Sequence, residues 1–213
     1  MRDLGRVDYR ETCDAMRAQA AARDNSSADE FWLVEHAQVY TLGLKMPAPT
    51  ETTMHGIPVI KTDRGGDITY HGPGQAIVYL LLDLSRRGLS VRRLVCLMEE
   101  AVLALLDRYG VSGQRREGAP GIYVDNAKIA SLGLRVRRGR TYHGIALNID
   151  VDLTPFSYIK PCGLDNVTTT RLIDLVPDVD PTLVRQDLLQ SLADTLGYGG
   201  LSHEPATKLV RAA

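Results

Sequence analysis

The seven residues AIVYLLL, from Ala76 to Leu82, contain no charged or amide side chain. The run is far too short to cross a bilayer as a helix. A half-exposed strand would alternate apolar with polar residues, and an amphipathic helix would show polar positions each turn. It therefore reads as a strand covered on both faces, which needs packing partners above and below its sheet.

The flanking segments supply candidates for that cover. Tyr9, Cys13, Met16 and Ala20 recur at helical spacing and predict a helix from Asp8 to about Arg23. Ser90 offers an N-cap to a second helix. Leu94, Val95, Met98, Ala101, Val102, Leu105, Leu106 and Tyr109 form its apolar stripe, and Gly110 is its stop. A third helix is expected from Pro181 to Leu196, with Leu183, Val184, Leu188, Leu189, Leu192 and Leu196 on one face.

Strands are expected at Phe31–His36, Gln38–Gly43, Ile57–Thr62 and Gly121–Val124. Two more, within Ala127–Ile149, should form a hairpin turned at Arg137–Arg140. Pro47–Gly56 and the stretch DLTPFSYIKPCGL read as irregular. The sum is an α/β (α+β) fold, a mixed β-sheet core flanked by helices, taken as one domain over residues 1–213.

Composition excludes several classes. Hydrophobic residues are 44% and charged residues 24%, with a formal net charge of −1, so neither disorder nor a nucleic-acid or anionic-membrane partner is indicated. The three cysteines, Cys13, Cys96 and Cys162, show neither disulfide-framework nor zinc spacing and suit a reducing compartment. The charged N-terminal segment lacks the apolar stretch of a signal peptide, so the expected location is the cytoplasm.

The chemistry concentrates in three stretches. RGGDITYHGPGQ, Arg64 to Gln75, places four glycines beside Arg64, Tyr70 and His71. It contains neither a GK[ST] phosphate loop nor a GxGxxG fingerprint, and it precedes a strand. Glycines let a ligand approach the main chain, and successive amides can hold an oxygen; tight turns around a strand are the bland alternative. In NAKIASLGLRVRRGRTYHGIALNI, Lys128 sits among Ala127, Ile129 and Ala130, and His143 precedes Gly144. In IKPCGL, Cys162 lies between proline and glycine outside any apolar period, which suits a nucleophile. Cys13 and Cys96 fall in helices and read as core or inert.

RGGDITYHGPGQ, KIASLGL followed by YHGIALN, and PCG, in this order, resemble the lipoyl(octanoyl) transferases of lipoate biosynthesis. The resemblance covers about residues 30–175 and is weaker in the helix at 181–197. One departure is VTTT from Val167, where members often carry VTS. It implies the fold of biotin and lipoate protein ligase catalytic domains. It also implies transfer of an octanoyl or lipoyl group from acyl carrier protein to a lysine of a lipoyl domain, in 2-oxoacid dehydrogenase complexes or the glycine cleavage H protein. Catalysis is then expected from Cys162, as a thioester, and from Lys128, which lowers the cysteine pKa; no cofactor or metal is implied. Substrate contacts are expected from Arg64, Gly65, Gly66, Asp67, Ile68, Thr69, Tyr70 and His71. Ser131, Leu132, Gly133, Gly144, Ile145 and Ala146 complete the set.

Thioester exchange is close to isoenergetic and needs no ATP, in keeping with the missing nucleotide motifs. His36, His143 and Tyr79 are further candidates, His71 or His143 as helpers at a tetrahedral intermediate and Tyr79, with Ile77 and Val78, as wall of the acyl slot. Amides of Ser131–Gly133 and of Cys162–Gly163 are candidate oxyanion donors. Arginines in Leu134–Arg140 and at Arg86, Arg87, Arg92 and Arg93 are either docking groups for acidic partners or simply solvated. The rival readings are an ATP-dependent lipoate or biotin ligase and a non-catalytic acyl-protein-binding relative.

Overall fold

A computed structural model describes residues 1–159 and 168–204 of the chain. The strands are β1 (Arg2–Val7), β2 (Glu30–His36), β3 (Val39–Leu42), β4 (Thr53–Met54), β5 (Ile57–Lys61), β6 (Ile68–His71) and β7 (Gln75–Leu81). They continue as β8 (Gln114–Arg115), β9 (Gly121–Val124), β10 (Ala127–Arg137) and β11 (Arg140–Asn148). The helices are α1 (Tyr9–Ala22), α2 (Val91–Arg108), α3 (Leu172–Leu175) and α4 (Pro181–Thr195). Among the described residues they form a seven-stranded sheet, β1-β2-β7-β11-β10-β9-β8, and a four-stranded sheet, β4-β5-β3-β6. Both are mixed: β1 runs parallel to β2 and β3 parallel to β5, while the other pairs are antiparallel.

Strand β7 is buried along its whole length. Ala76, Val78 and Leu80 pack with α2 residues Leu94, Met98 and Leu105 and α4 residues Val184, Leu188 and Leu192. Ile77, Tyr79 and Leu81 face α1 through Tyr9, Cys13 and Met16. The unbroken apolar run thus has helices on both sides. Because successive side chains alternate between faces, Val78 lies in the α2–α4 core and not in the acyl-slot wall where it was expected.

The caps follow the sequence. Asp8 accepts from the Glu11 amide, Ser90 from Arg93 and Asp180 from Thr182. The β10–β11 hairpin turns through Arg138 and Gly139, both at positive φ, with Arg137 paired to Arg140.

Several expectations are corrected. The glycine-rich stretch is two turns around strand β6, which pairs with β3, and Thr53–Met54 within the expected loop pairs with β5. A 3-10 turn at Thr154–Tyr158 occupies the expected irregular region. Leu183, expected on the buried face of α4, is 54% exposed in the first helical turn, ahead of the contact with α2. Strand β1 was not expected: at the sheet edge only Leu4 and Val7 pack inward, too few to make a period. Among the described residues no helix is long and apolar enough to cross a membrane.

Candidate active site

The two sheets meet around a cavity of about 340 Å³. Its exposed mouth carries Lys45, Val91 and Gly118, and its deep end is formed by Tyr9, His71, Ile77, Tyr79 and His143. Of the three stretches expected to act together from the sequence, the two that lie within the described residues converge. Arg64, Gly65, Gly66, Asp67, Ile68, Thr69 and His71 form one wall; Ser131, Leu132, Gly133, Gly144, Ile145 and Ala146 form another; and Lys128 joins them. Tyr70 does not reach the cavity, because on β6 it packs against Tyr40 and Phe156 in a separate core. His36 lies behind the wall and touches it through Tyr79. Cys162 lies outside the described residues, as do Pro161 and Gly163.

The glycine segment is held by its own arginine. The Arg64 guanidinium donates to the carbonyls of Thr41 (2.6 Å), Asp67 (2.7 Å) and Gly65 (3.0 Å). The Gly65 amide donates to Leu134 O at 2.9 Å, tying the segment to β10. Arg64 thus fixes the shape of this wall.

The deep end is polar but uncharged. His36 Nδ1 donates to Val7 O (2.8 Å), so its Nε2 accepts from the Tyr79 hydroxyl (2.7 Å). Gln75 Nε2 donates to Tyr70 O and Asn148 Oδ1, which leaves Gln75 Oε1 to accept from His71 Nδ1 at 3.0 Å. Burial lowers the His36 pKa to about 4; burial, with the nearby His36 and Arg64, lowers that of His71 to about 3. Burial also raises Tyr9 to about 12 and Tyr79 well above the usual phenol. These rings are neutral at physiological pH.

Asp63, which precedes the glycine segment, ties that segment to α1 and β11. Its carboxylate accepts from His143 Nε2 (3.1 Å), Arg17 Nη2 (3.3 Å) and the Tyr142 hydroxyl. Burial pulls its pKa upward, but these donors outweigh burial and hold it well below the usual carboxylate range. Burial lowers the His143 pKa against the pull of Asp63. His143 adopts φ +62 in the middle of β11, a conformation retained only where its surroundings fix it. Gly144 beside it admits no side chain, since a Cβ would lie 2.0 Å from Val78 O. Cys13, Asp63 and His143 each bring one ligand-type atom to within 4.8 Å of the others. The three donors to Asp63, one of them a cation, already engage that carboxylate. Burial pushes the Cys13 thiol up to about 11, consistent with the inert role expected of it.

Lys128 is buried, and its ammonium donates to Pro120 O at 3.0 Å and stands 5.6 Å from the centre of the Tyr123 ring. Its main chain pairs with Thr168 O (2.8 Å) and the Thr170 amide (3.0 Å), where the described chain resumes after residue 167. Several arginines considered as docking groups have partners within the chain. Arg86 and Arg87 bind Asp29, Arg93 binds Glu100 and Arg140 faces Asp83.

Sequence reading missed Tyr9, Lys45, Val91, Val95, Gly118, Pro120 and Leu134 as cavity residues, Val95 having been expected in the core stripe of α2, and Asp63 behind them. Tyr9 counted only as a member of a helical stripe, and periodicity does not tell a core residue from a cavity wall. The Gly118–Pro120 turn was the available signal, since glycine and proline before a strand mark backbone placed for close approach.

The chain matches the family described as lipoyl protein ligase A/B catalytic domain over residues 8–193. An octanoyltransferase of Aromatoleum aromaticum is 55% identical over 192 residues, covering 90% of this chain and 83% of that protein. In fold the chain is similar to a lipoate-protein ligase A bound with ATP (TM-score 0.80, 18% identity, 98% of this chain and 90% of that one). It is also similar to a bipartite lipoate protein ligase of Thermoplasma acidophilum, studied with its E2 lipoyl domain (TM-score 0.78, 17% identity, 98% and 87% coverage). The fold expected from the sequence, that of the lipoate and biotin ligase catalytic domains, is the fold found. Given its motifs, its cavity and its relatives, this chain belongs to the octanoyltransferase family of acyltransferases.

Proposed function

We propose that the chain, acting as one catalytic domain in the cytoplasm, moves an octanoyl or lipoyl group from acyl carrier protein to a lysine of lipoyl domains. The acceptors would be those of 2-oxoacid dehydrogenase complexes or the glycine cleavage H protein. The cavity is the observation that carries this reading: it is walled by apolar Ile77, Leu132, Ile145 and Ala146, neutral at its deep end, and bordered by Lys128.

In the first step the Cys162 thiolate attacks the donor thioester carbonyl. A tetrahedral oxyanion forms, the carrier's thiol leaves, and the acyl group remains on Cys162. In the second step the acceptor lysine, as a free amine, attacks that thioester; the Cys162 thiol leaves and an amide forms. A thiol of pKa about 8.5 and an amine of about 10.4 are both mostly protonated at neutral pH, so each step needs a proton acceptor. Lys128 fills that role: its amine takes the Cys162 thiol proton and, as an ammonium, favours the thiolate. It gives that proton to the carrier's leaving thiolate, and the amine so restored takes the proton of the incoming lysine and passes it to the leaving Cys162 thiolate. Its burial beside apolar neighbours and its place next to Thr168 support this assignment.

The test is the intact mass of the protein after incubation with octanoyl-acyl carrier protein without ATP, alongside Cys162→Ala. One octanoyl adduct on the wild type, absent from the variant and cleared by a lipoyl domain, is the expected result. Product only in the presence of ATP would instead make the chain a ligase, and full activity of Cys162→Ala would remove the thioester.

A further inference from the structure

The Pro120–Gly121 peptide links a buried carboxylate to the catalytic lysine candidate. Glu99, on α2 and 8% exposed, accepts from the Gly121 amide through Oε1 at 3.2 Å. The carbonyl of that same peptide, Pro120 O, accepts from Lys128 Nζ at 3.0 Å. In a trans peptide the N–H and C=O point in opposite directions, so the carboxylate lies at the positive end of the dipole and the ammonium at the negative end. The other carboxylate oxygen, Oε2, is held by Arg115 Nε at 3.1 Å, and Arg115 also reaches Glu100 at 3.6 Å. Tyr123 and Arg116, whose guanidinium stands 4.6 Å from the Tyr123 ring centre, adjoin this arrangement.

We propose that Glu99 is a positioning residue for Lys128: it locks the Pro120–Gly121 peptide so that Pro120 O faces the lysine amine and holds it at the cavity. Gly121 opens β9 opposite Ser131 of β10, and its amide is given to the carboxylate. Gly121 sits at φ +141, where glycine alone is at ease and rotation of the peptide is otherwise least restrained. Gly121 also has no Cβ to wedge Lys128 in place. A neutral acceptor of the same shape should serve nearly as well as the carboxylate, because the function is orientation.

The inference rests on the reading of Lys128 given above, and four variants separate the two. Single-turnover acyl transfer and thermal midpoints are measured for Glu99→Gln, Glu99→Asp, Arg115→Ala and Lys128→Ala. Glu99→Gln, which can still accept from the Gly121 amide, should keep its rate within about threefold. Glu99→Asp keeps the charge but falls short of the amide, and should lose on the order of tenfold in kcat with little change in KM. Arg115→Ala should retain its rate whatever its midpoint. Adding Glu99→Asp to Lys128→Ala should slow the residual reaction no further.

A plain structural ion pair gives the opposite order, with Glu99→Asp tolerated and Glu99→Gln and Arg115→Ala impaired; that order overturns the proposal. So does a further loss in the double variant. If Lys128→Ala alone kept the wild-type rate, the reading of Lys128 would fail first, and the role of Glu99 with it.

Discussion

Gly121 and Lys128 compete for one volume: a Cβ built on Gly121 would lie 2.5 Å from Lys128 Cε and 2.7 Å from Ala130 O. The glycine is therefore what lets the lysine side chain run along β9. Gly121→Ala should destabilise the fold by about 1–3 kcal/mol through its φ of +141, and should displace Lys128. Urea titration reads the first effect. Single-turnover transfer reads the second, with an expected loss of tenfold or more.

The buried imidazoles make stability sensitive to mild acid. His36 and His71 have pKa values of about 4 and about 3, below the roughly 6.5 of an unfolded chain. Between pH about 6.5 and 4 the unfolded state binds protons that the folded state does not, so stability falls as pH falls through this window. His71→Asn preserves a donor to Gln75 and removes one titrating site. Its stability–pH slope near pH 5, from chemical denaturation, should be shallower by up to about 1.4 kcal/mol per pH unit.

Asp63 behaves differently. Its folded pKa lies below the unfolded value of about 3.9, so its contribution is complete above that value and lost only as pH falls through the lower folded pKa. Asp63→Asn should cost about 1–3 kcal/mol, constant from pH 7 to 8, because it leaves buried donors on His143 and Tyr142 poorly matched. The gap to the wild type should close only in strong acid. A gap that varied across the neutral range would contradict this assignment.

Ala146 lines the cavity against Tyr9, Ile77 and Tyr79. Ala146→Leu should shorten the slot and shift preference from octanoyl to shorter donors. Each displaced methylene is worth about 0.8 kcal/mol, or about fourfold in kcat/KM. The ratio of kcat/KM for butanoyl and octanoyl donors measures the shift.

Local pattern carried much of the architecture. The caps at Asp8 and Ser90, the stripe of α2, the hairpin ending at Arg137 and Arg140, and the unbroken run of β7 each follow from neighbours a few residues apart. Those signals depend on backbone geometry, whose periods of about 3.6 and 2 leave their mark on the sequence. The motifs likewise pointed to Lys128 and to the glycine segment, whose glycines serve both the turns around β6 and, at Gly65 and Gly66, the cavity wall.

Tertiary structure decided the rest. Strand β1 exists because β2 offers it an edge, and its own two apolar residues are too few to announce it. Tyr70 and His71 are adjacent in sequence yet serve a core and a cavity, because a strand sends successive side chains to opposite faces. Asp63 meets His143 across 80 positions, and Glu99 meets Gly121 across 22. Composition and period state which residues are buried and which are polar. Which donor faces which acceptor is fixed only when the sheets and helices close around them, because hydrogen bonds depend on distances of a few ångströms that no local repeat encodes.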